Sequence, residues 1–74
     1  MPEMPEEVEK LKTLATNTRL LSSERVQAIE VLGDICTREA LLALLDVAGE
    51  SALLPSERNF ALSKANEIIK SGRT

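Results

Sequence analysis

Apolar residues recur at intervals of three and four in four segments of the chain, a spacing that places them on one face of an α-helix. Leu and Ala dominate these residues, whereas the chain has one Phe and no Trp or Tyr, which favours helix over sheet. We therefore predict an all-α fold of four to five short helices. The pattern outlines helices at about 5–16, from Ser22 or Ser23 to near Ile35, at 38–48 and at 57–70.

Residues that commonly begin or end helices separate these segments. We expect Thr37 to cap the third helix and Ser56 the fourth, because each hydroxyl can accept a hydrogen bond from the first helical turn. Ser22 or Ser23 can serve the second helix in the same way. Only a residue or two connects the second and third helices, so they should form an antiparallel hairpin. Gly33 is expected either to allow close approach of another helix or to begin a C-terminal cap.

The chain matches itself when it is shifted by 33 residues without a gap. The triplet Ser-Glu-Arg at 23–25 falls on the same triplet at 56–58, and Ala28 falls on Ala61. A period near 33 with helical content is typical of stacked helical repeats. We expect the two copies, at about 5–37 and 38–70, to pack through corresponding apolar side chains. The matched apolar pairs include Val8 with Leu41, Leu11 with Leu44, Ile29 with Leu62 and Ile35 with Ile68.

The stretch from Arg25 to Ile35, Arg-Val-Gln-Ala-Ile-Glu-Val-Leu-Gly-Asp-Ile, resembles the first helix of a HEAT-like repeat, and 37–45 is similar to that family's second helix. A second copy begins at Arg58 but carries Ala-Asn at 65–66, where the family has Leu-Gly. The resemblance implies a short right-handed α-solenoid of antiparallel helix pairs that acts as a scaffold or protein-binding module. Because only about two units are present, a compact four-helix domain is the other arrangement left open.

Seventy-four residues suit one small domain, which we expect at 5–71, with flexible termini at 1–4 and 72–74. The net charge of −3 disfavours general attraction to nucleic acid or to anionic membranes. The longest apolar run, 40–45, is far shorter than the roughly 20 residues of a membrane span. The first residues do not resemble a signal peptide and the single Cys36 permits no internal disulfide, so we expect a cytoplasmic protein.

Two leucines of the third helix are candidates for a binding surface. The 33-residue shift places Leu42 on Glu9 and Leu45 on Lys12, so positions that are polar in the first copy are apolar in the second. One interpretation is that the third helix is central and buries both leucines. The other is that they form an exposed patch for a partner protein or for a second copy of the chain.

Charged residues are the other candidates. Arg25 and Arg58 occupy equivalent positions at helix starts, where a cation opposes the helix dipole and needs another explanation. They either form ion pairs between the repeats or present a guanidinium to a partner's carboxylate. The intramolecular carboxylates that we expect for them are Asp34, Asp46 and Glu50. The polar face of the second helix is either solvated or a docking stripe for a basic segment, and it carries Glu24, Gln27, Glu30 and Asp34.

The amino-acid composition does not favour an enzyme. The chain has no His and no glycine-rich phosphate loop, so we expect no catalytic, metal or cofactor site. Cys36 is expected to be a buried apolar residue rather than a reactive thiol, and Phe60 is expected to anchor the core. We therefore predict a non-catalytic protein-interaction or scaffold module. The alternatives are a small homodimeric regulatory or structural protein that associates through the third helix, and a nucleic-acid-binding regulator.

Overall fold

The computed structural model describes residues 5–72, and these form four α-helices and no β-strand. The predicted all-α class is confirmed. The predicted flexible termini fall outside the described residues, except for Gly72, which ends the last helix. The helices are α1 (Pro5–Ala15), α2 (Ser22–Ile35), α3 (Arg38–Ala48) and α4 (Pro55–Ser71).

The helices pack as two hairpins that lie side by side. α1 packs on α2 and α3 packs on α4, while α3 also contacts α1 and α2, and α4 contacts α2. Within 5–72, α1 and α4 do not contact each other. Each helix of the first hairpin is thus a neighbour of the helix that follows it by about 33 residues, so α2 lies against α4 and α1 lies against α3.

Aliphatic side chains form the core where the two hairpins meet. Ile29, Leu32 and Leu44 are completely buried, and burying each such side chain contributes roughly 2 kcal/mol. Phe60 packs against this core from a partly exposed position. Other buried members of the core are Val8, Ala15, Ala28, Ala40, Leu41, Ala43, Val47, Leu53, Ala61, Ala65 and Ile68.

Three- and four-residue spacing of apolar residues predicts a buried face on α1 that includes Leu14 and one on α4 that includes Ile69, but both residues are about half exposed. Leu14 of α1 is 44% exposed and Ile69 of α4 is 51% exposed. The helical spacing placed them correctly on apolar faces. The prediction was nevertheless wrong for them, because no helix of the described chain covers those parts of the two faces.

Glutamates rather than serines complete the starts of α2 and α4. Leu21 and Leu54 precede these helices, and each donates its N–H to a glutamate three residues later. The distances are 3.0 Å to Oε1 of Glu24 and 3.1 Å to Oε1 of Glu57. A glutamate at this position accepts the N–H of the capping residue, whereas the leucine side chains cannot accept an N–H of the first helical turn. The expected caps are therefore wrong, namely Ser22 or Ser23 for α2 and Ser56 for α4.

The connection between α2 and α3 is as short as predicted. Cys36 ends α2 in a left-handed backbone conformation with φ of 59°, and its side chain packs, partly rather than fully buried, against the core. Thr37 caps α3, because its hydroxyl accepts the N–H of Ala40 at 3.1 Å. The predicted cap at Thr37 is thus confirmed, whereas the full burial expected of Cys36 is not.

Gly33 lies inside α2, facing the side chain of Lys64 of α4. A Cβ at this position would stand 2.9 Å from Cδ and 3.3 Å from Cβ of Lys64. The close approach that we considered for Gly33 is therefore what the structure shows. The alternative, that Gly33 begins the cap, is wrong because Cys36 takes that role.

The two copies agree in local structure but not in all their environments. Ala28 and Ala61 are both buried, in keeping with the repeat. Ile29 is completely buried, whereas its equivalent Leu62 is 45% exposed. The face of α2 that carries Ile29 is covered by α4, but the corresponding face of α4 has no described helix against it. The expectation that the two copies pack through corresponding apolar side chains is therefore wrong for Ile29 and Leu62.

We predict that Gly33→Ala will not stabilise the protein, although alanine is favoured over glycine inside a helix by about 1 kcal/mol. The added methyl group would push against Lys64 and offset that gain. The matched control is Asn66→Ala at the equivalent, exposed position of α4, which should gain a few tenths of a kcal/mol. Urea unfolding followed by circular dichroism measures both changes, and a full gain for Gly33→Ala would contradict the close contact.

Candidate functional site

A buried carboxylate joins the two hairpins where α2 meets α4. Glu57 of α4 is 1% exposed, and its Oε2 atom accepts hydrogen bonds from the hydroxyl of Ser22 and from the guanidinium of Arg25. The guanidinium donates through Nε at 3.2 Å and through Nη2 at 2.8 Å. We call this contact between α2 and α4 the junction.

The junction keeps both of its charges fully partnered. Hydrogen bonds from Arg25 lower the pKa of Glu57, and the Ser22 hydroxyl and the Leu54 N–H add to this effect, against the opposing effect of burial. The Nη1 atom of Arg25 donates to the carbonyls of Asn17 at 3.2 Å and Leu20 at 2.6 Å. Throughout 5–72, no buried side-chain nitrogen or oxygen is left without a hydrogen bond.

Arg25 thus forms the kind of inter-repeat ion pair that we considered, but with Glu57 rather than with Asp34, Asp46 or Glu50. It is 8% exposed and held by contacts inside the chain, so a partner's carboxylate has no access to it. The burial of Glu57 was missed by sequence reasoning. The local sequence carries no signal for it, because Glu24 lies in the same triplet at 23–25 and is exposed.

Arg58 has a different environment, although its local sequence is the same. Its Nε donates to the carbonyl of Ala48 at 3.0 Å, and neither Nη atom has a hydrogen bond or ion-pair partner among residues 5–72. Asp46, one of the partners expected for it, instead pairs with Lys12 of α1 at 3.3 Å. Arg58 is partly exposed and keeps two nitrogens available to a partner.

The outer side of the first hairpin forms an apolar groove between α1 and α2, with a volume of about 390 Å³. Leu14 and Val31 are 44% and 43% exposed there, and Glu24 and Gln27 supply the polar edge. We call this groove the first end surface. Its lining residues are Leu11, Leu14, Leu20, Glu24, Gln27, Ala28 and Val31.

The outer side of the second hairpin forms a second depression of about 330 Å³. Leu62 is 45% exposed within it, and Arg58 supplies its positive charge. We call this depression the second end surface. Its lining residues are Ala48, Pro55, Arg58, Asn59 and Leu62.

The two leucines of α3 are exposed in the single chain. Leu42 is 50% exposed and Leu45 is 41% exposed, so the interpretation that the central position of α3 buries them is wrong. Leu42 lies in a small groove of about 150 Å³ between α1 and α3, beside Glu9 and Lys12. α3 buries its opposite face, which carries Leu41 and the fully buried Leu44, Ala40 and Val47.

The candidates on the polar face of α2 do not act as one stripe. Glu24 and Gln27 border the first end surface, whereas Glu30 and Asp34 are exposed residues outside its lining. The structure therefore brings together two of the four residues that we grouped, and it places them beside exposed apolar side chains, Leu14 and Val31, that the sequence analysis did not assign to a binding surface.

Among residues 5–72, no three acidic or cysteine side chains are grouped so that they could hold a metal ion. No helix in that range has the length and apolar character that crossing a membrane requires. In comparisons with known proteins, no family model, curated protein or solved structure matches the chain. The resemblance to HEAT-like repeats therefore rests on its sequence motif.

We predict that Glu57→Gln destabilises the protein by roughly 3 kcal/mol, because it leaves the buried charge of Arg25 without its counter-ion. The matched control is Glu24→Gln, which alters the same type of cap hydrogen bond at an exposed position. It should lower the free energy of unfolding by less than about 1 kcal/mol. Urea unfolding at neutral pH measures both, and equal losses would contradict a special role for the junction.

The same pair makes stability depend on pH. The pKa of Glu57 in the folded protein lies below its ordinary value of 4.5, so its stabilising contribution is complete above that pH. The contribution is lost as the pH falls through the lowered folded-state value. Acid titration of the free energy of unfolding should therefore show a smaller decrease for Glu57→Gln than for the unaltered chain.

Proposed function

We propose that this protein is a non-catalytic protein-interaction module, built from two HEAT-like helical hairpins and acting in the cytoplasm. The side-by-side packing of equivalent helices supports a short solenoid, because a solenoid places corresponding helices next to each other. The proposal depends above all on one observation: apolar side chains are half exposed at both ends of the stack, within concave surfaces.

Scattered exposed leucines are common on proteins and require no explanation. Here Leu14 and Val31 border one groove, and Leu62 lies in another. Each surface also has one charged residue at its edge, Glu24 at the first and Arg58 at the second. An apolar groove with a charged rim is the usual chemistry for binding a helix or an extended protein segment.

Association through α3 is a second candidate, because Leu42 and Leu45 are both about half exposed and lie three residues apart on one face of the helix. A symmetric dimer could bury them. The protein would then be a small homodimeric regulatory or structural protein. The contact of such a dimer would lie outside the two end surfaces. Cross-linking from the end surfaces and from α3 therefore distinguishes the two candidates.

We expect a photo-reactive phenylalanine analogue at position 31 or 62 to form discrete cross-linked protein adducts in cells. The controls are the neighbouring solvent-facing positions Glu30 and Ser63, which lie outside the two surfaces. Gel electrophoresis and mass spectrometry identify the adducts. Similar adduct patterns from a surface position and its control would contradict the proposed binding surfaces, and adducts confined to position 42 would favour association through α3.

A further inference from the structure

The two end surfaces repeat the two halves of the junction. On the α2 half, Arg25 is followed one turn later by Ile29 and another turn later by Gly33, which touches Lys64. The residues 33 positions later in the sequence lie on the outer face of α4. There Arg58 and Leu62 line the second end surface. The full set of equivalents is Ser22 with Pro55, Arg25 with Arg58, Ile29 with Leu62 and Gly33 with Asn66.

The α4 half of the junction has its counterpart on the outer face of α2. Glu57 corresponds to Glu24 and Lys64 to Val31, and both counterparts line the first end surface. Ala61, which is buried in the molecule, corresponds to Ala28 at the base of the same groove. Each end of the molecule therefore presents the charged and apolar parts of one half of the junction. Pro55 in place of Ser22 lacks the hydroxyl donor, and Asn66 in place of Gly33 does not allow the same close approach.

At the two ends, charged atoms that correspond to members of the junction's ion pair have no hydrogen-bond partner within 5–72. One carboxylate oxygen of Glu24 accepts the N–H of Leu21, as one oxygen of Glu57 accepts the N–H of Leu54. The other oxygen of Glu57 binds Arg25, whereas that of Glu24 has no donor within 5–72. Both Nη atoms of Arg58 lack acceptors in the same range.

We propose that a second copy of this chain binds head to tail, with the second end surface of one molecule against the first end surface of the next. Arg58 would bind the free oxygen of Glu24 across the contact, and Leu62 would pack into the groove beside Val31. The inference rests on the proposed function and names its partner as the chain itself. A contact between two different surfaces leaves one surface of each kind unoccupied in a dimer, so it allows the stack to grow beyond a dimer.

The charges favour this arrangement over a symmetric one. Pairing two first end surfaces would place Glu24 against Glu24, and pairing two second end surfaces would place Arg58 against Arg58. Like charges facing each other are unfavourable, whereas the head-to-tail contact pairs opposite charges as the junction does. The occupant of each surface is therefore the other surface of a further copy.

Two single substitutions test the arrangement. Val31→Glu places a second carboxylate beside Glu24 in the first end surface, and Leu62→Glu gives Arg58 a carboxylate of its own molecule one turn away. Both residues are nearly half exposed, so both variants should keep the circular dichroism spectrum of the unaltered chain. Each change should weaken self-association by roughly tenfold or more, since tenfold corresponds to only about 1.4 kcal/mol.

Sedimentation velocity from roughly 10 µM to 1 mM covers the range in which small interfaces associate. We expect the mass of the unaltered chain to rise above 8.1 kDa with concentration, and each variant to need at least a tenfold higher concentration for the same rise. A 1:1 mixture of the variants should form a dimer and nothing larger, because Leu62→Glu keeps an intact first end surface and Val31→Glu keeps an intact second one. Leu42→Glu, the matched control on an exposed leucine of α3, should associate like the unaltered chain.

A monomeric unaltered chain at the highest concentration would overturn head-to-tail binding, as would a mixture of the two variants that stays monomeric. Loss of association on Leu42→Glu would also overturn it, in favour of a symmetric contact through α3. The proposed function fails separately. If the chain is monomeric but position 31 or 62 cross-links to another protein, the module binds a different partner and only the present inference is wrong.

Discussion

The ion pair between Arg25 and Glu57 determines how the two hairpins fit together. Both side chains are buried, and the hydrogen bonds between Arg25 and Glu57 join residues 32 positions apart on two different helices. A shift of α4 along α2 by one helical turn, about 5.4 Å, would leave two charges buried without partners. Because that cost is several kcal/mol, the pair specifies one register between the hairpins, whatever its net contribution to stability.

The same register explains why the molecule has two dissimilar ends. α2 and α4 carry nearly the same pattern, but each can cover only one side of the other. One side of α2 is therefore buried in the junction, and the equivalent side of α4, with Arg58 and Leu62, is left open. Conversely, Glu57 is buried and Glu24 is not. The exposed Val31 and Leu62 lie on the faces of α2 and α4 that no other helix of the described chain covers.

Local structure was largely predictable from the sequence, whereas burial was not. Apolar spacing located all four helices to within about two residues, and Thr37 and Gly33 fulfil roles that their chemistry indicated. Glu24 and Glu57 lie in the same local sequence, Leu-Leu-x-Ser-Glu-Arg, and make the same cap bond. Only the presence or absence of a neighbouring helix distinguishes the two glutamates. The position of a neighbouring helix depends on tertiary packing, which a local sequence pattern does not determine.

The most direct measurement is a double-mutant cycle on the junction, with Arg25→Met, Glu57→Gln and the two combined, each unfolded in urea at neutral pH. If the pair sets the register of the hairpins, the second change should cost much less once the first has been made, with a coupling free energy of about 2 kcal/mol or more. Additive effects, with a coupling below about 0.5 kcal/mol, would show that the hairpins meet without depending on this contact.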